Sequence, residues 1–171
     1  MAAPHLKDPN FERTVILLCE FDTKGAFGVI INRPSPIRVR HILSALDMRI
    51  STNEDNLCGW GGPVQNELCL IIHGAPPTVH DTWNICDGIS IGGNKAILPH
   101  CEQNGSPFRM VLGYAGWGPE QLVSEIERGD WLYSEVTPEL VFDTPTSAIY
   151  DVALSDFGLT SNCYFGAPID N

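Results

Sequence analysis

Arg109-Met-Val-Leu-Gly-Tyr-Ala-Gly-Trp-Gly-Pro-Glu-Gln-Leu122 is the stretch around which the rest of the chain is organised. It reads as a strand from Arg109 to Gly113, a glycine-rich turn from Tyr114 to Gly118, and a helix from Pro119. Gly118 suits an N-cap, Pro119 suits the first helical position, and Gly129 stops the helix after Arg128. Glycines at 113, 116 and 118 permit positive φ or close approach of another group, and Trp117 is displayed among them. Two readings fit: a tightly packed strand-to-helix corner, which is the favoured one, and an anion nest at a helix N-terminus. Glu120 in the first helical turn weighs against a phosphate there, because it already complements the helix dipole.

Upstream, Arg13 to Glu20 is apolar on both alternating faces, with Val15, Leu17 and Cys19 on one and Ile16 and Leu18 on the other. Such strands are buried on both sides. Ala26 to Asn32 repeats the pattern after the turn Phe21 to Gly25, which predicts a hairpin with a loop of about five residues. Pro34 and Pro36 end it, and Val39, Ile42, Leu43 and Leu46 recur at helical spacing over 38–47. A second glycine-rich turn, Cys58 to Val64, precedes a strand from Glu67 to His73, with Leu68, Leu70 and Ile72 on one face. Residues 82–91 read as an alternating strand region, and Asn94 caps a short helix over 95–103 despite Pro99. Downstream of the central stretch come a short strand at 131–136 and a last helix, with Thr144 as cap and Gly158 as stop. The last dozen residues carry no clear pattern.

The chain of 171 residues, 43% hydrophobic and 18% charged, fits one globular domain. No apolar run approaches the ~20 residues of a membrane helix, and the start lacks a basic and an apolar region, so a cytoplasmic protein is expected. Six cysteines without Cys-x-x-Cys spacing are expected as free thiols, and no metal set stands out. Up to Arg49 there are seven Lys/Arg against five Asp/Glu; beyond it, three against sixteen, within a net charge of −11. That balance argues against direct DNA binding, which rests on cations neutralising phosphates.

Three separated blocks point the same way. They are Asp8 to Val15 with Gly25 to Pro34; Gly61-Gly-Pro-Val64 with His73; and Leu112 to Leu122 with Phe142-Asp-Thr-Pro145. Together, over about Pro4 to Leu159, the chain resembles the bacterial AlgH/YqgE family. The resemblance implies an α+β fold: a compact domain on a bent, branching sheet with helices packed outside. Members are often labelled transcriptional regulators, no reaction is established for the family, and no cofactor is implied. The chain departs from the pattern at Phe21, where a histidine is common, at Gly92-Gly93, where Ser or Thr is usual, and at Tyr150, a common tryptophan. Little of the usual first strand precedes Pro4, which is expected to expose a sheet edge.

No acid, base and nucleophile converge, so no catalytic residue is assigned. Cys69 and His73 share a strand face but stand about 13 Å apart, too far for a dyad. The candidate binding residues are Asn32, Arg33, Gly61, Gly62, His73, Gly116, Trp117 and Gln121, expected to meet around one cleft that places Trp117 within about 10–12 Å of His73. Asn32 and Arg33 suit a carboxylate or phosphate, while pairing with a nearby acid is the simpler use of Arg33. Gln121, Glu125 and Arg128 read as a solvated helix face. The function expected is that of a non-enzymatic regulatory or interaction protein with a protein or small-molecule partner. The alternative is an enzyme whose cleft is formed by the glycine-rich turns.

Overall fold

The protein, seen as a computed structural model, is described over residues 1–51, 55–76 and 81–159. The sequence reading of residues 160–171 therefore lies outside the described residues, as does Cys163. The strands are β1 (Ile16–Asp22), β2 (Gly25–Ile30), β3 (Pro34–Arg38), β4 (Leu57–Trp60), β5 (Val64–His73), β6 (Thr82–Cys86), β7 (Ile89–Gly92) and β8 (Phe108–Trp117). The helices are α1 (Val39–Ala45), α2 (Ile97–Asn104), α3 (Gln121–Glu127) and α4 (Ile149–Ser155), with a π-helical turn at Glu139–Asp143. The class is α+β, with one sheet in the order β1-β2-β8-β5-β7-β6 and β3 joined through β4 to β8.

β8 is the spine. Its C-terminal end pairs antiparallel with β2, Ala26 opposite Trp117, while Val111 and Leu112 pair parallel with Gly59 and Trp60 of β4. Its other edge pairs antiparallel with β5, from Val64 opposite Tyr114 to His73 opposite Phe108. The sheet therefore branches where β2 leaves β8 and β4 enters. Ile30 N–H donates to Gly61 O, and Gly61 N–H to Leu112 O, which stitches the fork.

That fork explains the glycines and corrects the central reading. Residues 114–117 are not a turn; the strand runs on to Trp117 because β2 holds it. Gly113 sits at φ +73°, and a Cβ there would lie 2.5 Å from Gly62 O and 2.9 Å from Val64 O. Gly61 and Gly62 pack equally hard, on the backbones of Gly113 and Tyr114. These glycines permit strands to cross closely. The turn at 58–64 is likewise largely strand, and β3 includes the two prolines expected to end the hairpin.

Alternation along the strands divides the core. Leu17, Val29, Leu70, Ile72 and Val111 join α4 on one face, while Ile71, Met110 and Leu112 join α1 and α2 on the other. Ile16 and Leu18 pack toward a third cluster of Phe11, Trp117, Leu122 and Trp131. The β1–β2 hairpin forms as expected, although Asp22 pairs with Gly25 and the loop is shorter than five residues. Pro99 is tolerated in the first turn of α2, where backbone N–H groups lack intrahelical partners. The strand expected at 131–136 reduces to a single bridge between Trp131 and Ala2. The last helix begins at Ile149, not at Pro145, because Thr144 N–H and Oγ1 both bond back to Glu139 O and close the π-helical turn.

Among the described residues, no helix is long and apolar enough to cross a membrane. Cys19, Cys58, Cys69, Cys86 and Cys101 are free thiols. Burial pushes Cys19 and Cys69 up to about 12, and Cys58 and Cys101 up to about 11, so these thiols are poor nucleophiles.

Candidate functional site

The expected single cleft does not form. His73 lies opposite Phe108 at one end of β8 and Trp117 closes the other end. Nine residue steps along the strand separate the two positions, a span of about 30 Å. Gly61 and Gly62 are buried in the fork between them. Gly116 is exposed beside the Tyr114 ring.

Asn32 is occupied locally. Its Oδ1 accepts Val15 N–H at 2.8 Å, and its Nδ2 donates to Arg13 O at 2.9 Å, pinning the start of β1. His73 is fully buried, and neither ring nitrogen meets hydrogen-bond geometry with a described residue. Burial lowers its pKa, the Ala75 backbone opposes that shift in part, and His100 adds a smaller lowering.

Trp117 and Gln121 belong to a different constellation. Trp117 stacks on Phe11 with centroids 6.4 Å apart and meets Trp131 edge-on at 5.7 Å. Both indoles donate to Glu125 Oε2, at 2.8 and 2.7 Å, and Gln121 Nε2 donates to Oε1 at 2.9 Å. Gln121 Oε1 in turn accepts Gly118 N–H. Glu125 is therefore no solvated face residue but the half-buried acceptor that fixes two tryptophans. α3 starts only at Gln121, after Glu120 in left-handed conformation, so the expected Gly118 cap and Pro119 start are displaced. Along this side runs an apolar groove of ≈ 510 Å³, lined by Ile16, Leu18, Trp117, Ile126 and Tyr133. It follows the outer edge of β1, whose ladder partner among the described strands is β2.

A second groove, of ≈ 600 Å³, opens where β3, β4 and the start of β8 face the segment 142–146. Arg33 and Arg109 both line it, together with Cys58, Asp143, Thr144 and Thr146. Arg33 is held by neutral oxygens: Nη1 donates to Asn10 O at 2.7 Å, Nη2 to Glu12 O at 3.0 Å, and its guanidinium lies 5.4 Å from the Trp60 ring centre. The pairing with an acid that the sequence favoured is not made among the described residues. Arg109 Nη2 donates to Thr144 O at 2.9 Å; its Nη1 reaches Ile31 O and Thr146 Oγ1 only at 3.4 and 3.5 Å. Burial lowers the Arg109 pKa, and the Asp143 charge opposes that shift without forming an ion pair. The groove can hold and orient an anionic or hydrogen-bonding ligand. Of its working residues, only Arg33 was singled out from the sequence. Arg109 was read as strand; its signal was a cation opening the otherwise apolar run Met110 to Leu112.

A family model described as AlgH-like matches residues 1–162. A UPF0301 protein of Paraburkholderia phymatum is 33% identical over 172 residues, covering 97% of this chain and 90% of the relative. One from Anaeromyxobacter dehalogenans is 34% identical over 169 residues, covering 93% and 86%. The solution structure of the AlgH protein from Pseudomonas aeruginosa matches with a TM-score of 0.77 at 27% identity, over 99% of this chain and 93% of that one. A crystal structure from Corynebacterium diphtheriae matches with a TM-score of 0.76, at 20% identity and with 98% and 89% coverage, and shares the fold.

Proposed function

The chain belongs to the AlgH-like family, and from that premise we propose that it acts by non-covalent binding, as a regulatory or interaction protein whose working site is the groove between β4, β8 and the segment 142–146. One observation carries the reading. The groove gathers polar groups from four distant parts of the chain, Arg33, Asn56, Arg109 and Asp143 to Thr146, around ≈ 600 Å³ of space. That volume and mixture of apolar wall with a few convergent polar groups suit a small molecule. The apolar groove along β1 has few polar groups to orient a ligand. Chemistry is a weaker reading at the same place, because the Cys58 thiol is held up to about 11 by burial.

The test is a thermal-shift screen of the purified protein against a metabolite library, with every hit mapped by amide chemical-shift perturbation and assayed for turnover. Hits that perturb Leu57 to Gly59, Arg109 and Thr144 to Thr146, without being consumed, support the proposal. Hits that map only to the groove along β1, or that are turned over, overturn it.

A further inference from the structure

Arg109 has the cluster of properties from which a ligand's chemistry can be read. It is the second residue of β8, and the residues that follow it, Met110, Val111 and Leu112, are buried. The guanidinium is half-buried, and it carries five N–H donors. Those donors meet one good acceptor, Thr144 O at 2.9 Å, and two distant ones, Ile31 O at 3.4 Å and Thr146 Oγ1 at 3.5 Å. No carboxylate of a described residue lies within ion-pair distance, although Asp143 stands close enough to act on its charge. A desolvated cation that lacks a counter-ion is costly unless an anion reaches it. Arg33 adds a second positive charge on the wall, fixed by the carbonyls of Asn10 and Glu12.

Resting on the reading of this groove as the working site, we infer that its ligand bears an anionic oxygen group, a carboxylate or a phosphate, received by Arg109. The planar fork of a guanidinium matches two oxygens of either group, with hydrogen bonds stronger than those between neutral partners. The Arg33 charge draws the same group in from a chain whose field is otherwise negative. The apolar remainder of the wall, Val39, Leu57, Phe108 and Phe142, receives the ligand's body. Asp143 at the rim disfavours a second negative charge on that body, which points to a ligand with one anionic end.

The experiment titrates the intact protein with sodium benzoate, inorganic phosphate and neutral benzamide, following the Arg109 Nε–Hε resonance and the melting temperature. A saturable shift of that resonance with benzoate or phosphate, absent with benzamide, is expected. The stronger of the two anions identifies the source. In Arg109→Met, which keeps the apolar stem, affinity for the anion is expected to fall at least about tenfold, the worth of one charge-assisted hydrogen bond. Arg109→Lys restores charge without the fork and should recover only part of it. An unmoved Arg109 resonance in the native protein, or equal anion binding by Arg109→Met, overturns the inference. Neutral molecules that bind this groove while anions do not would sink the inference alone and leave the groove as the working site.

Discussion

Replacing Glu125 with alanine tests whether one carboxylate organises the end of β8. Its Oε2 accepts both indole N–H groups, from Trp117 at 2.8 Å and from Trp131 at 2.7 Å. The two tryptophans are only 8% and 7% exposed. Truncation would leave two buried donors without an acceptor, and each orphaned donor costs about 1–3 kcal/mol. Gln121 is exposed and opens a path by which water can reach one of them. The expected loss is therefore about 3 kcal/mol, which in a chain of this size lowers the melting temperature by roughly 6–12 °C.

Urea unfolding followed by tryptophan fluorescence measures this directly, since the reporting indoles are the ones released. Glu125→Gln keeps an oxygen for the indoles but turns an amide toward Gln121, and should cost less than half as much. Gln121→Ala removes an exposed partner and is expected to cost under about 0.5 kcal/mol. A loss below about 0.5 kcal/mol in Glu125→Ala would refute the reasoning, because it would mean that the indoles find other acceptors.

Four further outcomes are expected. His73 has its pKa lowered by burial, so below the ordinary value of about 6.5 the unfolded chain binds the proton more readily; its contribution is intact above that pH and is lost on acidification. His73→Leu should flatten the fall in stability between pH 7 and 5, and an unchanged slope would discount the residue. Ellman's reagent at pH 8 should reach Cys19, Cys58, Cys69 and Cys101 only on unfolding, because burial holds each thiol near 11–12; four fast thiols in the native protein would contradict this. Gly113→Ala should destabilise by several kcal/mol, against about 1 kcal/mol for Gly129→Ala, since both have positive φ but only the site at 113 has carbonyl oxygens within 2.9 Å of the added Cβ; equal losses would deny the crowding at the fork. A gel-shift titration with duplex DNA at about 0.15 M salt should show no saturable complex, given sixteen acidic residues after Arg49; a sequence-dependent one would reverse the charge argument.

Strand patterns buried on both faces were legible because each residue reports its own side. Val15, Leu17 and Cys19 went to one cluster, and Ile16 and Leu18 to another. The fork was not legible. Glycine spacing at 113–118 is the same whether a chain turns or lets another backbone cross, and the deciding partner, β2, lies more than eighty residues upstream. The same ambiguity misplaced the cleft. Glycine-rich turns were expected to gather at one end of an open sheet, whereas β8 strings them along its length and sends His73 to the far end. Glu125 was misread for a related reason: its spacing from Gln121 fits a solvated stripe, and only the approach of Trp131 from beyond the helix turns it inward.

Arg33 and Arg109 carry the functional argument because the rest of the chain runs against them. The protein has 21 acidic residues, and an acid placed beside a half-buried arginine is the simplest way to relieve its desolvation. Arg13, Arg40 and Arg128, all exposed, each have such a partner at 3.0 Å or less. Surface pairs of that kind contribute only about 0–1 kcal/mol, so the acids stand where they stabilise least. The two arginines of the groove are met instead by carbonyls and a threonine hydroxyl, which orient a guanidinium without neutralising it. A charge that no ion pair closes among the described residues, held in a fixed direction beside open space, is poised for an incoming anion. A structural arginine would need no such space, and it is the coincidence of the two that makes Arg109 the residue on which the proposed function should first be tested.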